Sequence, residues 1–254
     1  SGEVIILVHG TVGDYRDFQG QVTAFAPQYR AIAPSLRHYY PEPWDGKSDT
    51  LTLGQHVADL AAFIRALDAG SVHLVGFSRG GQVALHMASR HPELLKSLVL
   101  ADPAPVASLL SSSPPALAAL ERRRKFVATS IQHLQRGDIE AGLESFIDGV
   151  TAPGGWAKFS TADKQAVRDN GWTIKSLPAD ANKALTCEQV SRITVPVLLV
   201  SGESSPAEYR LMQDALQPCL PRAERGVIPK SGHLMPFANP TAFNSLLLSF
   251  FLKN

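Results

Sequence analysis

Two residues carry the chemistry this 254-residue chain could perform: a serine set between glycines and a histidine far downstream. Gly76-Phe77-Ser78-Arg79-Gly80 follows the apolar run at 72–75 and precedes a helical pattern over 80–90, so these five residues must turn tightly from strand to helix. Such a turn forces the serine into strained backbone geometry, and glycines two residues to either side remove the Cβ atoms that would collide. The Ser78 hydroxyl then stands above a sheet with a helix N-terminus aimed at it. That dipole and the free N–H of Arg79 favour a developing oxyanion there. A hydroxyl is a poor nucleophile at its own pKa and needs a neighbouring base. Of eight histidines, His233 is the candidate, because Lys230-Ser231-Gly232-His233 falls between the last expected strand and the closing helix. His56, His86 and His91 lie on or beside helices and read as structural or solvent-facing, while His73 points into sheet packing.

The elements that must position these groups alternate. Apolar runs at 4–8, 31–34, 72–75, 95–101 and 195–201, with a last one at 223–229, read as strands; the first is continuous rather than alternating, as in a parallel sheet buried on both faces. Leu53, Val57, Leu60, Phe63, Ile64 and Leu67 recur at helical spacing, 207–217 is helical up to Pro218, and 241–251 closes the chain as a helix. Strand–helix alternation predicts an α/β fold with a mostly parallel sheet and helices on both faces. Residues 103–193 break the rhythm: they are mostly helical, punctuated by prolines, and too long for an ordinary connection. Leu117, Leu120, Phe126, Ile131, Leu134, Leu143 and Phe146 form amphipathic stripes within them. The expected organisation is a core of 1–103 and 194–254 with a helical cap at 104–193.

Bulk properties narrow the functional classes. With 44% hydrophobic and 19% charged residues and a formal net charge of +1, the chain shows no basic footprint for nucleic acid. No apolar run approaches a membrane span. Cys187 and Cys219 give neither a disulfide framework nor metal spacing, and read as two reduced thiols. The expected partner is a small-molecule substrate, with no metal and no cofactor, in a cytoplasmic protein. The chain enters its first strand within three residues, which leaves an upstream segment or a removed leader open.

Over nearly its whole length the sequence resembles the α/β-hydrolase superfamily, through the G-x-S-x-G turn, the His9-Gly10-Thr11 turn after the first strand, and the late histidine. The resemblance implies that the main-chain N–H of Thr11, with Val12 as substitute, is a second oxyanion donor beside Arg79, and that His9 holds its turn by hydrogen bonds. It also implies a carboxylate to orient His233. Many relatives carry it in a G-x-x-D turn after the penultimate strand. Here Gly202-Glu203-Ser204-Ser205 puts serine in that place. Asp102, ending the strand 95–101, is the leading substitute, because some members place their acid there; Glu203 or the loss of any acid are the alternatives.

Arg37-His38-Tyr39-Tyr40-Pro41-Glu42-Pro43-Trp44 replaces the glycine-rich turn that relatives often carry after the second strand. Tyr39 and Tyr40 from that cluster, and Trp156 and Trp172 from the cap, are candidate pocket residues, with Phe146 and Phe159 as further apolar walls. The Arg79 side chain is expected to face a carboxylate rather than substrate, and the run 121–125 to be a solvated helix face. The resemblance therefore implies a serine hydrolase cleaving an ester-like bond in a small, largely apolar substrate through Ser78, His233 and Asp102. A cofactor-independent dioxygenase or lyase on the same scaffold, or a non-catalytic ligand-binding relative, are the alternatives. Haloalkane dehalogenation and epoxide opening by the family route need aspartate at position 78.

Overall fold

The computed structural model describes residues 2–42, 44, 46–110, 112–181 and 183–254; Ser1 and Pro43 of the loop cluster lie outside the described residues. Six strands, β1 (Val4–Val8), β2 (Arg30–Ile32), β3 (Val72–Phe77), β4 (Leu95–Ala101), β5 (Val197–Gly202) and β6 (Glu224–Ile228), form one sheet in the order β2-β1-β3-β4-β5-β6. Every pairing is parallel. The strand carrying Ser78 at its end is therefore central, beside the strand that ends at Asp102.

The helices are α1 (Gln19–Phe25), α2 (Leu53–Ala66), α3 (Arg79–Arg90), α4 (Pro114–Gln135), α5 (Ile139–Val150), α6 (Thr161–Asp169), α7 (Leu177–Ala181), α8 (Cys187–Val190), α9 (Ala207–Leu216), α10 (Met235–Ala238) and α11 (Pro240–Phe251). Alternate residues of the buried strands feed two cores. Val4, Ile6 and Val8 pack with α2, α3 and α9 on one face, while Ile5 and Leu7 pack with Phe25 of α1 and Phe243, Leu247, Phe250 and Phe251 of α11 on the other. Burying a side chain of this kind stabilises by about 1.5–3 kcal/mol, so both faces hold the central strands fixed.

Between β4 and β5 lies the long helical segment. α4 and α5 form an antiparallel pair, and Val127, Leu134, Leu143, Phe146, Trp156 and Ile174 make a third apolar cluster that Val12, from the loop after β1, joins. Leu117, expected in the buried stripe, is instead exposed at the α4 N-terminus. Two ion pairs tie this segment to helices that flank the sheet: Arg79 of α3 with Asp180 of α7, both buried, and Arg122 of α4 with buried Glu208 of α9. Strand and helix boundaries follow the sequence pattern closely, but β2 runs Arg30–Ile32 rather than 31–34, and α1 had no expected counterpart.

The reading of two reduced thiols is corrected. Cys187 and Cys219 form a disulfide, with Cα atoms 5.1 Å apart. The folded chain brings the start of α8 against the turn after α9, a juxtaposition that two cysteines 32 residues apart do not announce. No helix is long and apolar enough to cross a membrane among the described residues.

Candidate active site

Ser78 sits between β3 and α3 with φ 53° and ψ −119°, a conformation non-glycine residues avoid. Its surroundings hold it there. The Ser78 N–H donates to the Ala101 carbonyl at 3.0 Å, and its own carbonyl accepts from Ala104 at 2.8 Å and Gln82 at 3.2 Å. The flanking glycines are obligatory for a steric reason. A Cβ on Gly80 would lie 2.2 Å from the Val8 carbonyl oxygen, and one on Gly76 would lie 2.5 Å from that of Gly80. The turn is thus wedged against β1 so closely that only backbone fits.

His233 arrives from the loop after β6. Its Nε2 is 3.1 Å from Ser78 Oγ and its Nδ1 is 3.2 Å from Asp102 Oδ2. With the proton on Nδ1 donated to the carboxylate, the Nε2 lone pair faces the serine hydroxyl. The imidazole lies between two rings: Tyr209 of α9 stacks on it at 3.9 Å and 10°, and Phe77 lies on the other side at 4.9 Å and 30°. Side-chain rotation is therefore blocked on both faces.

Asp102 caps the end of β4 with φ 40°, its N–H donating to the Val200 carbonyl at 2.9 Å. Wholly buried, it is pushed by desolvation above the usual carboxylate range, against the lowering pull of its hydrogen bonds from His233 and Ser205. The Ser205 hydroxyl donates to Asp102 Oδ2 at 2.5 Å and itself accepts the Gly202 N–H at 3.0 Å, so both its roles are fixed. Ser205 stands in the G-x-x-D place where relatives carry the acid; the residue there supplies a donor to the carboxylate one strand away. Glu203, the alternative acid, is exposed and accepts the Lys230 N–H at 2.8 Å, away from His233.

Thr11 and Ser78 line one cavity, and the Arg79 N–H is the first amide of α3, without a partner inside its own helix. The Val12 N–H, considered as a substitute donor, is engaged by Thr173 Oγ1 at 3.4 Å. His9 is structural: its Nδ1 faces the Gly10 carbonyl at 2.8 Å and its Nε2 accepts the Leu36 N–H at 3.0 Å, with burial lowering its pKa to about 4. The Arg79 side chain turns away from the cavity. It donates to Asp180 at 2.8 Å and to His56 Nδ1 at 2.8 Å, and Asp180 in turn accepts the Leu53 N–H at 2.9 Å. His56 must be neutral to accept from a guanidinium, and burial with that adjacent charge lowers its pKa to about 3.

The cavity measures about 240 Å³ and is walled mainly by Phe77, Phe146, Ile147, Phe159, Val167 and Phe237, with Asp17, Lys158 and Asp163 its charged members. Phe146 and Phe159 thus stand where the sequence suggested. The four aromatic pocket candidates do not. Tyr39 is fully buried against His9 and His56, and Tyr40 lies on the surface under the Arg16 guanidinium. Trp156 packs inside the third apolar cluster, and Trp172 is exposed beside Lys175. For Tyr39 and Trp156 the aromatic area serves packing, while Tyr40 and Trp172 lie at the surface against cations. Tyr209 and Asp17 carried no readable signal, and Ser205, noted in the G-x-x-D turn, was not read as a donor to Asp102. Among the described residues no cluster of side chains suits a metal ion.

Comparison with known proteins agrees with the fold. A Bacillus subtilis protein assigned provisionally as 2-succinyl-6-hydroxy-2,4-cyclohexadiene-1-carboxylate synthase is 26% identical over 98% of this chain and 90% of its own length. The 2-hydroxy-6-oxo-6-phenylhexa-2,4-dienoate hydrolase of Burkholderia cepacia is 25% identical over 98% of this chain and 87% of its own. The structure of carboxylesterase CesB from Bacillus subtilis superposes with a TM-score of 0.77 at 21% identity, covering 100% of this chain and 85% of that one. The profile of the alpha/beta hydrolase family matches residues 5–246. With a six-stranded parallel sheet and a serine on the turn after its central strand, the chain belongs to the alpha/beta hydrolase family.

Proposed function

We propose that this protein is a serine hydrolase that cleaves an ester-like bond in a small, largely apolar substrate. The observation that carries the proposal is the continuous line Ser78–His233–Asp102, at 3.1 and 3.2 Å, opening on an apolar cavity. In this reading His233 Nε2 accepts the Ser78 proton as Oγ attacks the substrate carbonyl. Asp102 keeps the imidazole in the required tautomer and stabilises the imidazolium. The Thr11 and Arg79 N–H groups receive the oxyanion. His233 then returns the proton to the leaving alcohol, and water resolves the acyl-enzyme by the same steps reversed.

The helical segment 104–193 acts as a cap, contributing Phe146, Ile147, Phe159 and Val167 to the cavity wall opposite Ser78. A small, mostly apolar cavity beneath these helices suits a compact acyl group better than a polymer. The Burkholderia cepacia relative, a hydrolase by name, supports hydrolysis as the reaction class. A panel of 4-nitrophenyl esters from acetate to octanoate tests the proposal, together with a fluorophosphonate probe. Wild type should turn over the shorter esters and be labelled at Ser78, and Ser78→Ala should do neither. A folded wild type that resists labelling and cleaves none of the panel would overturn it.

A further inference from the structure

Asp17 lies within the wall of the cavity that holds Ser78 and His233, on the short 3₁₀ turn Tyr15–Phe18 beside the oxyanion loop. Its carboxyl occupies space that only a glycine at position 13 leaves open, since a Cβ there would lie 1.9 Å from Asp17 Oδ2. The mechanism proposed above makes no use of it. The neighbouring charges have other engagements. Asp14 is matched by Arg16 at 2.6 Å and by Asn170 at 2.7 Å, and Arg16 also holds Asp169 at 2.9 Å. Asp163 accepts the Ser160 hydroxyl at 2.7 Å as part of the α6 cap and is exposed at the rim, as is Lys158. His233 lines the same chamber. The buried cation nearest the nucleophile in sequence, Arg79, is spent on Asp180 outside the cavity. Of Asp17, Lys158 and Asp163 in the cavity lining, only Asp17 is withdrawn from solvent, half-buried with its carboxyl accepting the Asp14 N–H.

We infer that Asp17 is a specificity determinant that selects substrates carrying a positively charged nitrogen next to an apolar body, and that the cavity disfavours carboxylate-bearing ones. The inference rests on the hydrolase reading for the site's use, and names the substrate class that site would take. Desolvation and the nearby Asp14 carboxylate raise the Asp17 pKa to about 7, with Asp163 adding to the rise, while the hydrogen bond from the Asp14 N–H and the charge of Arg16 oppose it. The preference for a cation therefore strengthens as pH rises through neutrality, because only the ionised carboxylate attracts it. A charge-assisted contact in such a chamber corresponds to about a tenfold difference in affinity or more.

The test compares two isosteric ligands, choline and 3,3-dimethylbutan-1-ol, one permanently cationic and one neutral. Dissociation constants are measured by ligand-detected NMR at pH 6 and pH 8, on wild type and on Asp17→Asn. The expected result is that wild type favours choline by about tenfold at pH 8 and by clearly less at pH 6, while Asp17→Asn shows no preference at either pH. Any other charge facing the chamber acts on choline in both proteins, so the part of the pH change that wild type shows beyond Asp17→Asn is the part assigned to Asp17. Equal binding of the two ligands by wild type at pH 8, as Lys158 neutralising Asp17 would give, overturns the inference. So does a choline preference that survives in Asp17→Asn. Binding needs no turnover, so this outcome is separate from the fate of the hydrolase reading, which ester cleavage and Ser78 labelling decide.

Discussion

Replacing Asp102 by asparagine keeps the shape of the buried site and removes its charge. Asp102 Oδ2 is 3.2 Å from His233 Nδ1, and both side chains are essentially without solvent contact. An imidazolium formed during attack is stabilised by that carboxylate with about 4–5 kcal/mol at an effective dielectric of about 20, which is roughly a 10³-fold effect on rate. Asp102→Asn should therefore lower kcat on 4-nitrophenyl acetate by about three orders of magnitude with little change in KM. Circular dichroism and Tm would check folding. Ser205→Ala is the graded companion. It removes the 2.5 Å donor to the same oxygen, a charge-assisted bond of about 1.5–3 kcal/mol, and leaves the Gly202 N–H without its acceptor. The carboxylate loses one of the two hydrogen bonds opposing its desolvation, so its pKa rises further and the acid limb of kcat moves to higher pH. Glu203→Gln, on a surface carboxylate bonded to Lys230, should leave the rate within about twofold. A loss below tenfold in Asp102→Asn, or a large loss in Glu203→Gln, would refute the assignment of the acid.

Asp180→Ala strands the buried Arg79 guanidinium and the Leu53 N–H, and should cost about 3–5 kcal/mol in urea unfolding; a change under about 1 kcal/mol would contradict the anchoring role of the pair. His56 is held neutral with a pKa of about 3, well below its unfolded value near 6.5, so the unfolded chain binds the extra proton and stability is lost as pH falls between those values. His56→Gln should accordingly gain about 2 kcal/mol on wild type when both are moved from pH 7 to pH 5, whatever its cost at pH 7; parallel stability curves would contradict this. The Cys187–Cys219 bond closes a loop of 32 residues and should contribute about 3–4 kcal/mol, read as a fall in Tm of wild type under reductant that Cys187→Ala/Cys219→Ala does not show.

The geometry of the site was legible wherever local sequence forces local structure. Gly76 and Gly80 announce a turn that no side chain can enter, and the apolar runs announce a parallel sheet, so Ser78 and the strand ends could be placed from the pattern alone. Asp102 was readable because strand order follows from the fold class, which puts the end of β4 beside the end of β3. The pocket was legible only at Phe146 and Phe159. Cavity walls depend on how the inserted helices settle on the sheet, and large aromatics such as Tyr39 and Trp156 are drawn into cores by the same property that recommends them as walls. Asp17 sits on a short polar turn with no periodicity to mark it, and its carboxyl fits against Gly13 only because that residue has no side chain. The disulfide depends on a long-range approach that spacing does not encode.

Trapping the covalent intermediate tests the nucleophile most directly. Wild type quenched in acid during steady turnover of 4-nitrophenyl acetate, then digested and analysed by mass spectrometry, should carry one acetyl group on the peptide containing Ser78, and His233→Ala should carry none. An acetyl group found elsewhere, or an unmodified Ser78 peptide alongside rapid ester cleavage, would contradict the assignment of Ser78 as the attacking residue.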